Sequence, residues 1–269
     1  MSVSASISYP FEQLVADYQN TAEHNDSMFK KMTDLAWSDP ILSAHRRYVE
    51  DNKLGFGDAA FHAMWLRLLN AAGQRFGSPR AMEIGVFKGQ IISLWALIAK
   101  HWTIHLRISG ITPLKGRPMP QSRILTWLRY RLDRAFREEM QNGNFYPNDD
   151  YEDAIRQLFD HFDVNYSSVT LHRGLSTDQS VVERLANETF HILNVDGDHA
   201  YDGALHDFTV YGPKVVSGGW LVADDSGCAL PGHLFWKGHP SVSRAAEILP
   251  TLGFKNVLNV GHNRIYERA

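Results

Sequence analysis

The chain of 269 residues contains a single cysteine, Cys228. That excludes an internal disulfide and any zinc cluster built from cysteines. No apolar run approaches the roughly 20 residues needed to cross a bilayer. The polar start Met1–Pro10 lacks the charged and apolar regions of a secretion signal, so a reducing cytoplasm is the expected compartment. An excess of positive charge is missing too. With Lys and Arg at 27 and Asp and Glu at 30, the formal net charge is −3, which argues against general nucleic-acid binding. There is no internal repeat and no low-complexity tract. What is present, 44% hydrophobic and 21% charged residues, is an ordinary globular composition with ample core.

The stretch from His191 to Asp225 organises the rest. Two apolar runs rich in β-formers, Phe190–Val195 and Trp220–Ala223, have the length of strands buried on both faces, and each ends in acids: Asp196 and Asp198, then Asp224 and Asp225. Between them Ala204, Leu205, Phe208, Val210 and Tyr211 recur at helical spacing, and Gly218-Gly219 turns the chain into the next strand. A β-α-β crossover makes such strands parallel and brings both acid clusters to the carboxyl edge, where open α/β sheets bind ligands. Carboxylates crowded there repel one another unless a cation or a proton relieves them. A hard divalent cation is one relief; helix capping in contact with water is the other.

Upstream, residues 1–77 read as a helical lead-in packed on the core. Phe11, Leu14, Val15 and Tyr18 form one stripe, Ser38-Asp39-Pro40 breaks it, Gly55-Phe56-Gly57 punctuates, and Asp58 is expected to cap a helix reaching Arg75. The first strand, Ala81–Ile84, runs into Gly85-Val86-Phe87-Lys88-Gly89 and the apolar helix Ile91–Ala99. Glycines at such a corner allow close approach of a ligand. The dinucleotide fingerprint G-x-G-x-x-G is absent; the pattern is E-x-G-x-x-x-G from Glu83.

At these residues the chain resembles the class I S-adenosylmethionine-dependent methyltransferases, and the later D-G-D-H-x-Y and G-G-x-x-x-x-D-D stretches are similar to the metal-dependent group of macrolide-sugar O-methyltransferases and cephalosporin hydroxylase-like proteins. The resemblance implies a Rossmann-like, doubly wound α/β sheet of seven strands over residues 78–269, mostly parallel with a C-terminal antiparallel hairpin. It implies S-adenosylmethionine held by Glu83, Gly85, Val86, Phe87 and Gly89, with Thr112, Ser176, Asp196 and Tyr201 as further contacts. It places Mg²⁺ or Mn²⁺ at Asp196, Asp224 and Asp225. His199, whose ordinary pKa lies near working pH, is the candidate general base, with Asp196 as the alternative. Thr112 departs from the family pattern: a hydroxyl stands where an acid usually binds the ribose, and it can make one hydrogen bond where a carboxylate makes two. Ser176, with Gln179 three residues on, also reads as a capping box.

Residues 114–150 form an insertion the core fold does not require. Seven basic residues from Lys115 to Arg137 accompany Leu125, Leu128, Leu132 and Phe136, expected along one helical face that meets an anionic membrane, an anionic substrate, or solvent. Beyond Asp225 a loop with Cys228, Pro231, His233, Phe235, Trp236 and His239 reads as a substrate wall. The expected activity is metal-assisted O-methylation of a sugar-containing or other small polyhydroxylated substrate by a homo-oligomer. An NAD-linked oxidoreductase and a non-catalytic binding protein on the same fold are the alternatives.

Overall fold

A computed structural model describes residues 7–116, 118–141, 149–229 and 238–269. The chain opens with helices α1 (Phe11–Ala16), α2 (Ala22–Ser38), α3 (Pro40–Asp51) and α4 (Ala59–Phe76). The break between α2 and α3 has a local cause. Asp39 accepts hydrogen bonds from the Ile41 and Leu42 amides at 2.8 and 3.0 Å, and Pro40 occupies the first turn, where no amide hydrogen is needed. At the next boundary the expectation fails. Asp58 precedes α4 but makes no side-chain cap, and the stop is Gly77 at φ 69°. Helix α4 holds its place by burial instead, and buried Arg67 donates to the Ser8 and Tyr9 carbonyls, tying down the start of the described chain.

Then follow β1 (Arg80–Ile84), α5 (Gln90–His101), β2 (Arg107–Thr112), α6 (Arg123–Leu132), α7 (Arg134–Gln141), α8 (Tyr151–His161), β3 (Val169–Arg173), α9 (Gln179–Arg184), β4 (Phe190–Val195), α10 (Tyr201–Tyr211), β5 (Val215–Ala223), α11 (Pro240–Ala245), β6 (Phe254–Val260) and β7 (Asn263–Arg268). They give one seven-stranded sheet in the order β3-β2-β1-β4-β5-β7-β6. All pairs are parallel except those of β7, which runs antiparallel to both β5 and β6. The sheet is therefore of the doubly wound type with a terminal hairpin.

The two-residue period of the strands divides the core. Ala81, Ile192, Trp220 and Val222 face a cluster with Phe11, Met32, Trp65, Leu68 and Trp95 from α1, α2, α4 and α5. Met82, Leu193, Leu221 and Ala223 face the other side, with Val181, Phe208, Tyr211 and Leu249.

The insertion differs from the single helix face expected. The chain breaks at Asp133, whose carboxylate accepts from the Phe136 amide at 3.0 Å and starts a second helix. Phe136 is buried with the Arg129 guanidinium 4.2 Å above its ring, whereas Leu125, Leu128 and Leu132 stay exposed on α6.

Candidate active site

Register brings the site together. Ile84 lies beside Val195 and Val195 beside Ala223, so the tips of β1, β4 and β5 end level. Hydrogen bonds carry that pairing one residue further. The Asp196 amide donates to Ile84 O at 2.9 Å and the Asp224 amide to Val195 O at 3.1 Å. Asp225, next in line, holds a left-handed φ of 54°, a conformation Asp tolerates better than bulkier residues do.

A cavity of about 700 Å³ opens over these tips. Glu83, Gly85, Val86, Phe87, Thr112, Ser176, Asp196, His199, Asp224 and Asp225 all line it. Gly85 sits at φ 100°, and a Cβ built there would fall 1.8 Å from the Asp196 carbonyl oxygen, so only glycine fits between these strand ends.

Three of the sequence-named residues have other neighbours in the structure. Gly89 does not line the cavity; a side chain there would strike Ile155 at 2.8 Å, so its smallness serves the packing of α8 on α5. Tyr201 is likewise absent from the lining, because its ring lies 4.0 Å under the Arg244 guanidinium. Ser176 is not an N-cap: α9 begins at Gln179 after Asp178, and the Ser176 carbonyl instead accepts from the Tyr211 hydroxyl at 2.7 Å. Thr112 is almost wholly buried, and its hydroxyl accepts from the Leu114 amide at 3.0 Å, a turn-forming role absent from the sequence reading.

The acidic rim is surrounded by imidazoles. His199 Nε2 lies 3.3 Å and His239 Nε2 3.8 Å from Asp225 Oδ2, and the two rings stack at 4.3 Å between centroids. His262 Nε2 lies 3.3 Å from Asp224 Oδ1 and 3.8 Å from Asp225 Oδ1. His199, Asp225 and His239 form one group, and Asp224, Asp225 and His262 another, whose donor atoms all lie within 4.8 Å of one another. Burial, then the neighbouring Asp224, Asp225 and Glu83 charges, push the Asp196 carboxyl well above the usual range. Burial and Asp224 raise Asp225 as well, while its three histidine neighbours pull it back down. Glu83, pushed up to about 8 by burial, accepts from Asn194 at 3.4 Å through one oxygen; its Oε2 has no hydrogen-bond partner.

Sequence reasoning missed several lining residues. His262 sits in the β6–β7 turn, and only the antiparallel pairing of β7 with β5 brings that turn to the rim. Phe56 and Tyr151 flank Phe87, with ring centroids 5.4 and 4.8 Å away, so the glycine-bounded 55–57 turn and the start of α8 help enclose the cavity. The sequence signal was there in Gly55-Phe56-Gly57, whose aromatic between two glycines suits a loop that leans on a ligand. The proposed wall of Pro231, His233, Phe235 and Trp236 lies outside the described residues.

A family described as methyltransferase domains matches residues 82–226, more than half of the chain. The chain belongs to that family. It is an S-adenosylmethionine-dependent methyltransferase, and the nicotinamide-linked alternative falls away with the missing dinucleotide fingerprint. No curated protein matches the chain by sequence. Among solved structures it is similar to the O-methyltransferase NovP, at 16% identity and TM-score 0.57 over 77% of this chain and 79% of that one. It is also similar to a putative caffeoyl-CoA O-methyltransferase from Staphylococcus aureus, at 15% identity and TM-score 0.58 over 89% and 98%. The calicheamicin methyltransferase CalS11 aligns at 14% identity and TM-score 0.53 over 94% and 96%. These likenesses establish the shared fold.

Proposed function

We propose that this methyltransferase is an O-methyltransferase assisted by a divalent metal and acting on a hydroxyl of a sugar-containing or other small polyhydroxylated substrate. The observation that carries the reading is that Asp196, Asp224 and Asp225 stand at adjoining strand tips and line one cavity, with the His199 and His262 imidazoles beside the last two. NovP and the S. aureus protein are both described as O-methyltransferases, which agrees with a hydroxyl acceptor.

The residues fit both groups this chemistry needs. For a cation, Asp224 Oδ1 is buried and makes no hydrogen bond, with the His262 imidazole 3.3 Å away, and Asp196 is pushed upward first by burial and then by the Asp224, Asp225 and Glu83 charges, which a cation would offset. Asp196, Asp224 and Asp225 would hold it, with His262 as a fourth donor. Carboxylates suit Mg²⁺, and the imidazole tilts the set toward Mn²⁺. When bound, such a cation lowers the pKa of a hydroxyl it touches and orients a vicinal diol. For S-adenosylmethionine, the Gly85 corner gives the close approach, and Glu83 Oε2 is a buried acceptor for its charged amino-acid end. Val86, Phe87, Thr112 and Ser176 complete that side of the cavity.

Methyl transfer requires in-line approach, removal of the acceptor proton and exclusion of water. His199 performs the second task in this reading. With Nε2 within 3.3 Å of Asp225, the tautomer carrying its proton there leaves Nδ1 as the basic nitrogen. Stacking on His239 fixes the ring plane. Phe56, Phe87 and Tyr151 form an apolar flank that excludes water. The test is calorimetric titration with S-adenosylmethionine, then turnover on vicinal diols and on single hydroxyls with EDTA, Mg²⁺ or Mn²⁺. Activity lost with EDTA and regained with metal supports the reading. Full activity in Asp196→Ala, Asp224→Ala and Asp225→Ala removes the metal from it.

A further inference from the structure

Helix α6 buries none of its residues. At 100° per residue, Ile124, Leu128, Leu132 and Leu125 fall in one sector of about 100°, with Arg131 bordering one margin and Arg129 the other. The four apolar side chains are 72, 38, 81 and 57% exposed in that order, and both arginines are exposed. The opposite side of the helix, through Arg123, Thr126, Trp127 and Tyr130, turns toward a shallow groove shared with Met119 and Met140. The leucine sector therefore points away from the rest of the described insertion.

The helix is held firmly for so exposed an element. Ser122 accepts from the Leu125 amide at 3.3 Å, and Arg137 donates to the Tyr130 and Arg131 carbonyls at 2.9 Å each, closing the last turn. Arg131 lies 4.5 Å over the Trp127 ring. From Lys115 to Arg137 the sequence carries seven basic residues against one acid, Asp133, before Glu138 and Glu139 follow, in a chain whose net charge is −3. Positive charge is thus concentrated on the segment that also exposes its leucines.

We propose that α6 docks the enzyme on an anionic membrane surface, with the leucine sector at the boundary between headgroups and acyl chains and the arginines against lipid phosphates. A short helix with an apolar sector edged by arginine matches the way interfacial helices lie in the plane of a bilayer. Anionic headgroups supply the complementary charge. A second copy of the chain fits less well, because a two-fold contact through this sector sets each copy's Arg129 and Arg131 near those of the other, with no acid but Asp133 to offset them. The chain leaves the cavity rim at Thr112, Pro113 and Lys115 and enters α6 at Arg123, so docking would bring the rim close to acceptors carried by the membrane. The docking inference stands whatever acceptor is methylated.

Sedimentation of the full chain with vesicles tests it. Phosphatidylcholine alone should leave the protein in solution, and vesicles with about one third phosphatidylglycerol should pellet it, less so as salt rises. Leu128→Glu/Leu132→Glu and the charge reversal Arg131→Glu should each lower partitioning by at least about tenfold. Heat of S-adenosylmethionine binding and Tm should stay at the wild-type values, since all three residues are exposed. Wild-type protein that stays in the supernatant with anionic vesicles overturns the proposal, as does pelleting that neither variant reduces. Light scattering that shows a dimer dissociated by Leu128→Glu/Leu132→Glu would give the sector to a second copy instead.

Discussion

Two clusters of histidine lie in this molecule, and their surroundings give them opposite chemistry. In the helical layer, His45 Nδ1 lies 3.0 Å from His62 Nε2, and His45 Nε2 lies 3.0 Å from the Ser93 hydroxyl. Both rings are fully buried with no carboxylate among these partners; Phe162 packs on His45 at 5.0 Å, and the charges that act on it are those of Arg46 and His161. Burial drives His45 down to about 3 and His62 well below its usual value, so the pair is neutral and holds α3, α4 and α5 together. At the sheet edge, His199, His239 and His262 lie within 3.3 to 3.8 Å of Asp224 or Asp225. Burial near an acid leaves an imidazole able to share a proton or a cation; burial near another imidazole makes it a hydrogen-bonding wedge.

The largest test removes the acid that joins the edge cluster. Asp225 lies near all three histidines, and Asp225→Asn keeps its shape while deleting its charge. The expected loss in kcat/KM is about 10³-fold or more, on the order of 4 kcal/mol of transition-state stabilisation, with Tm held or raised because a repulsive charge is gone. Next comes His199→Gln. The kcat should fall by roughly 10² to 10³-fold with S-adenosylmethionine affinity within about twofold, as expected of a proton acceptor rather than a cofactor contact. A loss below about fivefold would move the base to Asp196.

The sequence made the sheet and one half of this edge legible, and the reason lies in where each residue sits along the chain. Asp196, Asp224 and Asp225 follow directly from apolar strands, so strand geometry alone puts them on one rim. His262 and Phe56 come from turns far away in sequence, and nothing short of the pairing of β7 with β5 or the fold of the 55–57 turn reveals that they reach the same cavity. Gly89 and Tyr201 show how little a motif says about packing neighbours. A motif explains why a glycine or an aromatic stands near a corner, yet Ile155 and Arg244 decide what each one touches. The His45–His62 pair was invisible because its partners lie on separate helices, and an isolated histidine on an apolar face carries no signal of its mate.

His262→Asn sharpens the contrast at a smaller scale. This ring is buried, with Phe61 edge-on at 4.7 Å, and it approaches Asp224 without being a proposed base. An orienting or fourth-donor role predicts about a 10- to 100-fold loss in metal affinity, read as a shift in the Mn²⁺ or Mg²⁺ concentration giving half-maximal turnover, with kcat at saturating metal little changed.

The smallest effect is a pH dependence set by the other cluster. In the unfolded chain His45 and His62 take up protons near 6.5, while in the fold they stay neutral, His45 down to about 3. Below 6.5 the unfolded state therefore binds more protons, and stability contributed by the pair is present above 6.5 and lost as pH falls toward 3. Asp207 and Glu83 act in the opposite sense. Their folded values near 7 and 8, raised chiefly by burial, exceed those of the unfolded chain, so their contribution is present at low pH and lost as pH rises through those values. The two pairs offset each other between about 4.5 and 6.5, which flattens the wild-type profile. Replacing both rings in His45→Leu/His62→Leu removes one side of that balance and leaves Ser93 still bonded to the Gln90 carbonyl. Relative to wild type, the variant should gain about 1.5 kcal/mol on going from pH 7.5 to pH 6, read by denaturant unfolding at both values. S-adenosylmethionine binding should not change. A variant that follows the wild-type profile at both pH values would mean the pair takes up protons in the fold as readily as in the unfolded chain, and the contrast between the two clusters would then fail at its buried end.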